Sequence, residues 1–332
     1  MLSYTKGHGM KEEPDVHVGM GGWDLPPFDR TFYPPSERGF RKLHYYSQFF
    51  DFVEVNSTFY NHDFSSAQVC RWLEDVSHNH RFVFTAKLFK GFTHTFDAGR
   101  KEFQSIRRLL DQLRRDDRLG GLVVQFPSSF VNTADRRRYI ADLARAFSAY
   151  RIFVEIRHHS WNSPLMFNFF QESGVHLINV DLPPLQKHMP FLNNSWNGAA
   201  YFRMMGRNAD AWNQPYRLEP DGKHVVSQRY LYRYSESELH QLLEGVRQIR
   251  REGKESFVVF HNDPEAQSLL NGFQFKHMMS RRKVFVPDRL EKLFPRIKEF
   301  SVSVNVSHPL FSGVPFPARA EQGIPARHSV NY

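Results

Sequence analysis

Ionisable and amide residues recur two positions apart within short apolar runs: Glu54 with Asn56, Glu155 with Arg157, and Lys87 two beyond Thr85. Gln125, Asp181 and Arg203 sit in three further runs of the same kind. Successive side chains on a β-strand point to opposite faces, so residues two apart share one. Val53 and Val55 thus oppose Phe52, Glu54 and Asn56, while Ile152, Val154 and Ile156 oppose Phe153, Glu155 and Arg157. In the same way Asn179 pairs with Asp181, and Tyr201 with Arg203 and Met205. Where the polar faces converge, Glu54, Glu155 and Asp181 are expected to meet Lys87, Arg157 and Arg203, three anions against three cations. An isolated buried charge costs several kcal/mol, so such a crowd must pair internally. Apolar residues would fill the space at least as well, so the charges point to a ligand site.

Three chemistries fit these residue types. The first is metal-independent acid–base catalysis on a phosphorylated or otherwise anionic substrate. Glu54 and Glu155 are its acid–base candidates, one with a raised pKa if its surroundings are anionic or apolar. Lys87 serves as an electrophile, or as an imine-forming amine where neighbouring cations lower its pKa. Asp181 joins this catalytic set, and Arg157, Arg203 and Arg207 offer forks for phosphate or carboxylate. The second chemistry is a metal-dependent phosphoesterase or endonuclease-like hydrolase, with Glu54, Glu155, Asp181 and His261 as ligands. His94 and His158 lie just past strand ends, but three cations crowd that position and no HExxH spacing supports a metal. The third is a nucleotide- or nucleic-acid-binding module without turnover, in which Trp23, Tyr60, Trp161 and Trp212 stack on a base or sugar. Trp212 belongs to a long segment, residues 208–233, that also holds Tyr216, Tyr230 and Tyr232 and reads as a lid. Asn56, Gln125 and Asn262 supply neutral polar contacts in all three. The residues name no particular cofactor, and Gly21-Gly22-Trp23-Asp24 follows the first strand in place of a GxGxxG turn, which argues against an open doubly wound sheet.

These side chains need a scaffold that brings many strand ends together. Strand-like runs occur at residues 16–20, 52–56, 82–87, 122–126, 152–157, 176–181, 199–206 and 257–262. Helical periodicity fills the gaps between them. Phe103, Ile106, Leu110 and Leu113 line one helix face, and Leu143, Ala146 and Phe147 another. Ser235 to Glu238 forms a capping box before the stripe Leu239, Leu242, Leu243, Val246 and Ile249. Ser36 and Thr133 read as further N-caps, whereas the crossover near residues 185–193 is expected to lack a long helix. Cys70, beside Val69, Trp72 and Leu73, reads as a core residue of an amphipathic helix. Eight alternating strands predict an α/β fold, a (β/α)8 TIM-type barrel in one domain over residues 16–280. Barrel enzymes build their sites at the C-terminal ends of the strands, where these polar residues fall. A polar leader, residues 1–15, precedes the barrel. Residues 281–332 read as a short basic helix broken at Pro295, an edge strand at 301–306 and an irregular Pro-rich tail.

The 332 residues carry a formal net charge of +9 with 41% hydrophobic residues. No run approaches the roughly 18 apolar residues of a membrane span, and the polar start has no apolar signal core. One cysteine excludes an internal disulfide framework, so the expected setting is cytoplasmic, away from membranes. Basic clusters such as Arg107-Arg108 and Arg136-Arg137-Arg138 lie on helices mixed with Asp and Glu, and read as solvated faces. The charge suits an anionic small molecule or nucleotide as partner, with nucleic acid as the larger alternative.

The chain resembles the YecE-like family, domain of unknown function 72, over about residues 16–275. Two stretches are specific to it: Val53-Glu54-Val55-Asn56-Ser57-Thr58-Phe59-Tyr60 and Glu155-Ile156-Arg157-His158-His159-Ser160-Trp161. Weaker matches follow in the family's order: Gly22-Trp23, Phe32-Tyr33-Pro34, Lys87, Thr93-His94, Gln125-Phe126-Pro127, Arg203, Gly206-Arg207 and Asn262. The resemblance implies a TIM-type barrel and supplies no reaction. Four positions depart from the family's usual pattern. Met20 and Gly21 stand where it has Thr and Ser, Met205 where it has His, and His261 where Asn is common.

Overall fold

A computed structural model of the chain describes residues 15–35, 39–212 and 228–305. The polar leader up to residue 14, the cap expected at Ser36, the middle of the seventh loop with Tyr216, and the Pro-rich tail from residue 306 lie outside the described residues.

The strands are β1 (Val16–Met20), β2 (Phe52–Val55), β3 (Val83–Lys87), β4 (Leu119–Gln125) and β5 (Ile152–Glu155), followed by β6 (His176–Leu177), β7 (Asn179–Asp181), β8 (Ala199–Met204) and β9 (Glu255–Phe260). They pair in parallel in the order β6-β5-β4-β3-β2-β1-β9-β8-β7. β6 and β7 are two pieces of one extended segment, interrupted only at Ile178, whose N–H donates to the Val154 carbonyl at 2.8 Å. The first piece pairs with β5 and the second with β8, so the ring closes through this segment. The result is the eight-membered barrel expected from the strand rhythm, its sixth strand changing partners half-way.

Helices cover the outside. Among them are α1 (Ser66–Asp75), α2 (Arg100–Arg115), α3 (Ala134–Ala146), α4 (Pro164–Glu172), α5 (Glu236–Arg251) and α6 (Gln267–Ser280). Their starts follow local chemistry. Thr133 accepts from the Arg136 N–H, and Ser235 accepts from the Glu238 N–H while Glu238 bonds back to Ser235. Such caps each contribute about 1 kcal/mol. Among the described residues only the short 3-10 turn Trp196–Gly198 lies between β7 and β8, as the missing periodicity of that crossover predicts. Cys70 departs from expectation. The buried stripe of α1 is Val69, Trp72 and Asp75, and Cys70 falls on the exposed side, where the Gln112 amide reaches its sulfur at 3.1 Å.

Alternation splits the apolar residues into two cores. Val18, Met20, Val53, Phe84, Leu122, Val154 and Phe202 face the helices. Phe52, Val123, Phe153, Ile178, Val180, Tyr201, Met205, Phe257 and Val259 fill the barrel axis. Aromatic rings form a floor there, with Phe153 4.8 Å from Tyr201 and 5.5 Å from Phe257 between ring centres. Beyond α6, β10 (Val284–Pro287) and β11 (Ser301–Val304) pair in parallel around α7 (Asp288–Leu293), which ends before Pro295.

Candidate functional site

The aromatic floor keeps water from beneath the next layer of axial side chains, and that layer is charged. Glu54 on β2, Glu155 on β5 and Arg203 on β8 are all buried, with at most 1% of their surface exposed. Arg203 is the hub. Its Nη2 donates to Glu54 Oε1 at 2.8 Å, and its Nη1 pairs with Glu155 Oε2. Arg157 Nε donates to the other oxygen of Glu155 at 2.5 Å. Tyr201 donates its hydroxyl to Glu54 Oε2 at 2.7 Å and lies 2.9 Å from Thr85 Oγ1. Low dielectric strengthens each of these contacts and makes any unpaired member costly.

Burial alone would raise the pKa of both glutamates, but the guanidinium neighbours outweigh it. Arg203 and His261 hold Glu54 well below the usual carboxylate range, and Arg157 and Arg203 hold Glu155 at about 2. Both are therefore fixed anions at neutral pH, not proton donors. The expectation that one of them has a raised pKa is corrected by the two arginines lying against them.

His261 joins this hub. Its Nε2 lies 2.9 Å from Arg203 Nη2, 3.2 Å from Arg203 Nε and 3.2 Å from Glu54 Oε1, so the imidazole sits between the guanidinium and the carboxylate. Burial and Arg203 push its pKa down to about 4, which keeps it neutral. The imidazole has room because residue 21 is glycine. A Cβ there would stand 2.1 Å from His261 Cε1 and 2.2 Å from Nδ1. The two departures from the family pattern, Gly21 and His261, thus fill one another's space. Gly21→Ser is expected to cost about 1–3 kcal/mol, because a well-packed site yields only by moving. Denaturant unfolding of a double-mutant cycle checks this. His261→Asn should absorb most of the cost, and strictly additive costs would show the two positions uncoupled.

Lys87 ends β3 beside this hub in a different condition. The Thr58 hydroxyl, 2.6 Å from the Lys87 carbonyl, fixes the strand end. Lys87 Nζ lies 4.1 Å from the centre of the Phe59 ring and makes no ion pair with any described residue. Burial and Arg203 push its pKa down to about 7, against the upward pull of Glu54 and Glu155. His94 packs edge-on to the same Phe59 ring at 4.8 Å and bonds Thr93. Burial, Lys87 and Arg157 lower its pKa to about 4.

Asp181 is not on the axis. The structure places Ile178, Val180 and Leu182 inward and turns Asn179 and Asp181 toward the helices. The reason is local. Asn179 takes the backbone N–H of Asn194, while Asp181 accepts from Arg207 Nε at 2.9 Å and Tyr234 at 2.6 Å. Arg207 also binds Glu238, and Asn262 donates to Tyr232 O and to Asn271. Asp181, Arg207 and Asn262 therefore form a separate polar network outside the barrel wall. Asp181→Asn is expected to cost about 1–3 kcal/mol of stability, since Arg207 and Tyr234 would lose a charged acceptor. Chemical denaturation reads that loss, and an unchanged midpoint would contradict it.

The chain matches the family described as "Protein of unknown function DUF72" over residues 17–296. It belongs to the DUF72 family. The UPF0759 protein YunF of Bacillus subtilis (strain 168) is 25% identical over 282 residues, covering 80% of this chain and 94% of YunF. Two DUF72 crystal structures share the fold. That of TM1631 from Thermotoga maritima MSB8 has a TM-score of 0.68 at 28% identity, covering 80% of this chain and 99% of that one. That of EF0366 from Enterococcus faecalis V583 has a TM-score of 0.68 at 22% identity, covering 80% and 96%.

The remaining candidates of this DUF72 chain divide by position. Asn56 donates to the Gly21 carbonyl at 2.6 Å, and its own Oδ1 is buried without a partner among the described residues. Gln125 caps β4 and bonds the Phe126 carbonyl. Trp23 packs edge-on to Trp72, and Tyr60 is 70% exposed beside Phe59. His158 is held by Ser160 in the loop after β5. Trp161 is fully buried between Phe130 and Phe170 and donates to the Phe130 carbonyl. It braces the wall and offers no stacking face. Trp212 and Tyr230, from the described ends of the seventh loop, pack on the axial cluster and on each other. His261 was legible only as a metal ligand, and its place on Arg203 depends on the room left by Gly21. Among the described residues no three His, Cys, Asp or Glu side chains converge as a metal set, and no helix is long and apolar enough to cross a membrane.

Proposed function

We propose that this DUF72 barrel binds an anionic small molecule at the mouth formed by Lys87, Arg157 and His94, and acts on it by metal-independent proton transfer at Lys87. The observation that carries this reading is the charge count on the axis. With Asp181 turned outward, the ion pairs of Arg157 and Arg203 among the described residues are with Glu54 and Glu155, while the buried Asp263 lies near enough to Arg203 to feel its charge. Lys87 has no ion pair among the described residues, and a bound carboxylate or phosphate supplies one. Arg157, tied through Nε alone among the described contacts, points the same way. An amine that titrates near neutrality is also suited to exchange protons at physiological pH. The two glutamates act as positioning residues that hold Arg203 and Arg157 in place.

A divalent-metal hydrolase is less well supported, because Glu54, Glu155 and His261 all lie on Arg203. Nucleic-acid binding is likewise weaker. Helix arginines such as Arg138 and Arg145 already pair with Asp135 and Asp142 one turn away. A cytoplasmic setting fits the single cysteine. Isothermal titration with inorganic phosphate and glycolate tests the reading. Lys87→Met should weaken binding about tenfold or more, as loss of a charged hydrogen bond implies. Asp181→Asn, outside the axis, should leave affinity unchanged. Equal affinity of Lys87→Met and wild type would overturn it.

A further inference from the structure

Proton transfer and covalent catalysis demand different things of a lysine. A proton carrier needs access to a proton. A nucleophile needs a free electron pair, room for a carbonyl carbon, and rigid support. Lys87 shows the first and the last of these. Its strand end is pinned by Thr58, which also bonds the Val55 carbonyl, so β2 and β3 are tied at this level. Its ammonium has no described carboxylate within salt-bridge distance, and Arg203 and Arg157 stand near enough to disfavour the charged form. Desolvation and neighbouring cations are the two devices that activate a lysine amine. The axial cluster also holds the apolar side chains Val180, Leu182 and Met205, and Trp212 and Tyr230 pack against that cluster. The axis thus offers both cations and apolar surface, matching a molecule with an anionic end and a carbon skeleton.

We infer that Lys87 forms an imine with a carbonyl compound that carries a carboxylate or phosphate group, the anion lying on Arg157 and the carbonyl carbon at Nζ. This rests on the anion-binding reading above and names its substrate class. The lysine lone pair attacks the carbonyl carbon, the C=O π pair moves to oxygen, and a carbinolamine results. The C–O bond then breaks as the C=N bond forms. The two hydrogens of the amine leave with the oxygen as water, so amine plus carbonyl gives imine plus one water. The substrate's negative charge offsets the protonated imine, which would otherwise be a third axial cation beside Arg157 and Arg203.

Reductive trapping tests the inference on the wild-type chain. The probe is glyoxylate, a small anionic aldehyde, with cyanoborohydride at neutral pH, and its alcohol glycolate is the competitor. Peptide mass spectrometry reads modification at Lys87 against exposed lysines such as Lys101. Lys87 should react on the order of a hundredfold faster, because an amine titrating near 7 is about half free at neutral pH where an ordinary lysine is almost wholly protonated. Glycolate should slow that reaction. Modification of Lys87 no faster than Lys101, with glycolate binding still seen by calorimetry, overturns the imine and leaves the anion site standing. Absence of both overturns both. Fast modification indifferent to glycolate overturns the anionic substrate class.

Discussion

Replacing Arg203 with methionine should destabilise the barrel by about 3–5 kcal/mol and invert part of its pH dependence. Arg203 bridges Glu54 and Glu155, and both carboxylates are fully buried. Without the guanidinium they remain in an apolar shaft over the Phe153, Tyr201 and Phe257 rings. In the wild type their folded pKa values lie below the unfolded value of about 4.3. That contribution is fully present above the unfolded pKa, and it is lost as pH falls toward the folded value of about 2 for Glu155. In Arg203→Met, burial dominates at Glu54 and its value rises above about 4.3, while Arg157 still holds Glu155 ionised. The variant should then gain stability as pH is lowered from 8 toward 5, whereas the wild type should not. Melting temperatures across that range check the sign. Parallel curves for the two proteins would mean that Arg203 does not hold Glu54 ionised.

Lys87→Met should do the reverse for stability while removing ligand affinity. A lysine held near 7 in the folded chain, against about 10.4 when unfolded, opposes folding wherever the unfolded chain keeps the proton. This penalty is full below pH 7 and fades as pH rises toward 10. The methionine variant should be more stable than wild type by about 1–2 kcal/mol at pH 6, after allowing for the lost contact with the Phe59 ring. The difference should shrink at pH 9. A site residue whose removal stabilises the fold is held there for function rather than packing. Urea denaturation at the two pH values reads both sign and trend, and a destabilised Lys87→Met at pH 6 would contradict the account.

The barrel was legible because its signal is redundant: eight strand runs and the caps at Thr133 and Ser235 all agree with one topology. Six of the axial side chains were legible by alternation alone, since Glu54, Lys87, Gln125, Glu155, Arg157 and Arg203 lie on strands whose other face is plainly apolar. Alternation failed on the sixth strand. Both of its faces are buried, so polarity at Asn179 and Asp181 marked a face without saying whether axis or helices lay beyond it. Their partners, Asn194, Arg207 and Tyr234, are distant in sequence and carry no local period. Trp161 misled for a related reason. A tryptophan after a strand end fits a stacking platform equally with a buried brace, and only the rings of Phe130 and Phe170 decide between them. His261 was obscured because its position depends on what Gly21 lacks.

In this reading Lys87 is a desolvated amine with no anionic partner among the described residues until a ligand supplies one. NMR titration of the lysine side-chain Cε resonances, with Lys87→Arg for assignment, measures this directly. The account predicts one lysine with a midpoint near 7 that moves upward when inorganic phosphate is added. A Lys87 midpoint near 10, unmoved by phosphate, would show that the ammonium is already matched and would remove the basis for an anion at this mouth.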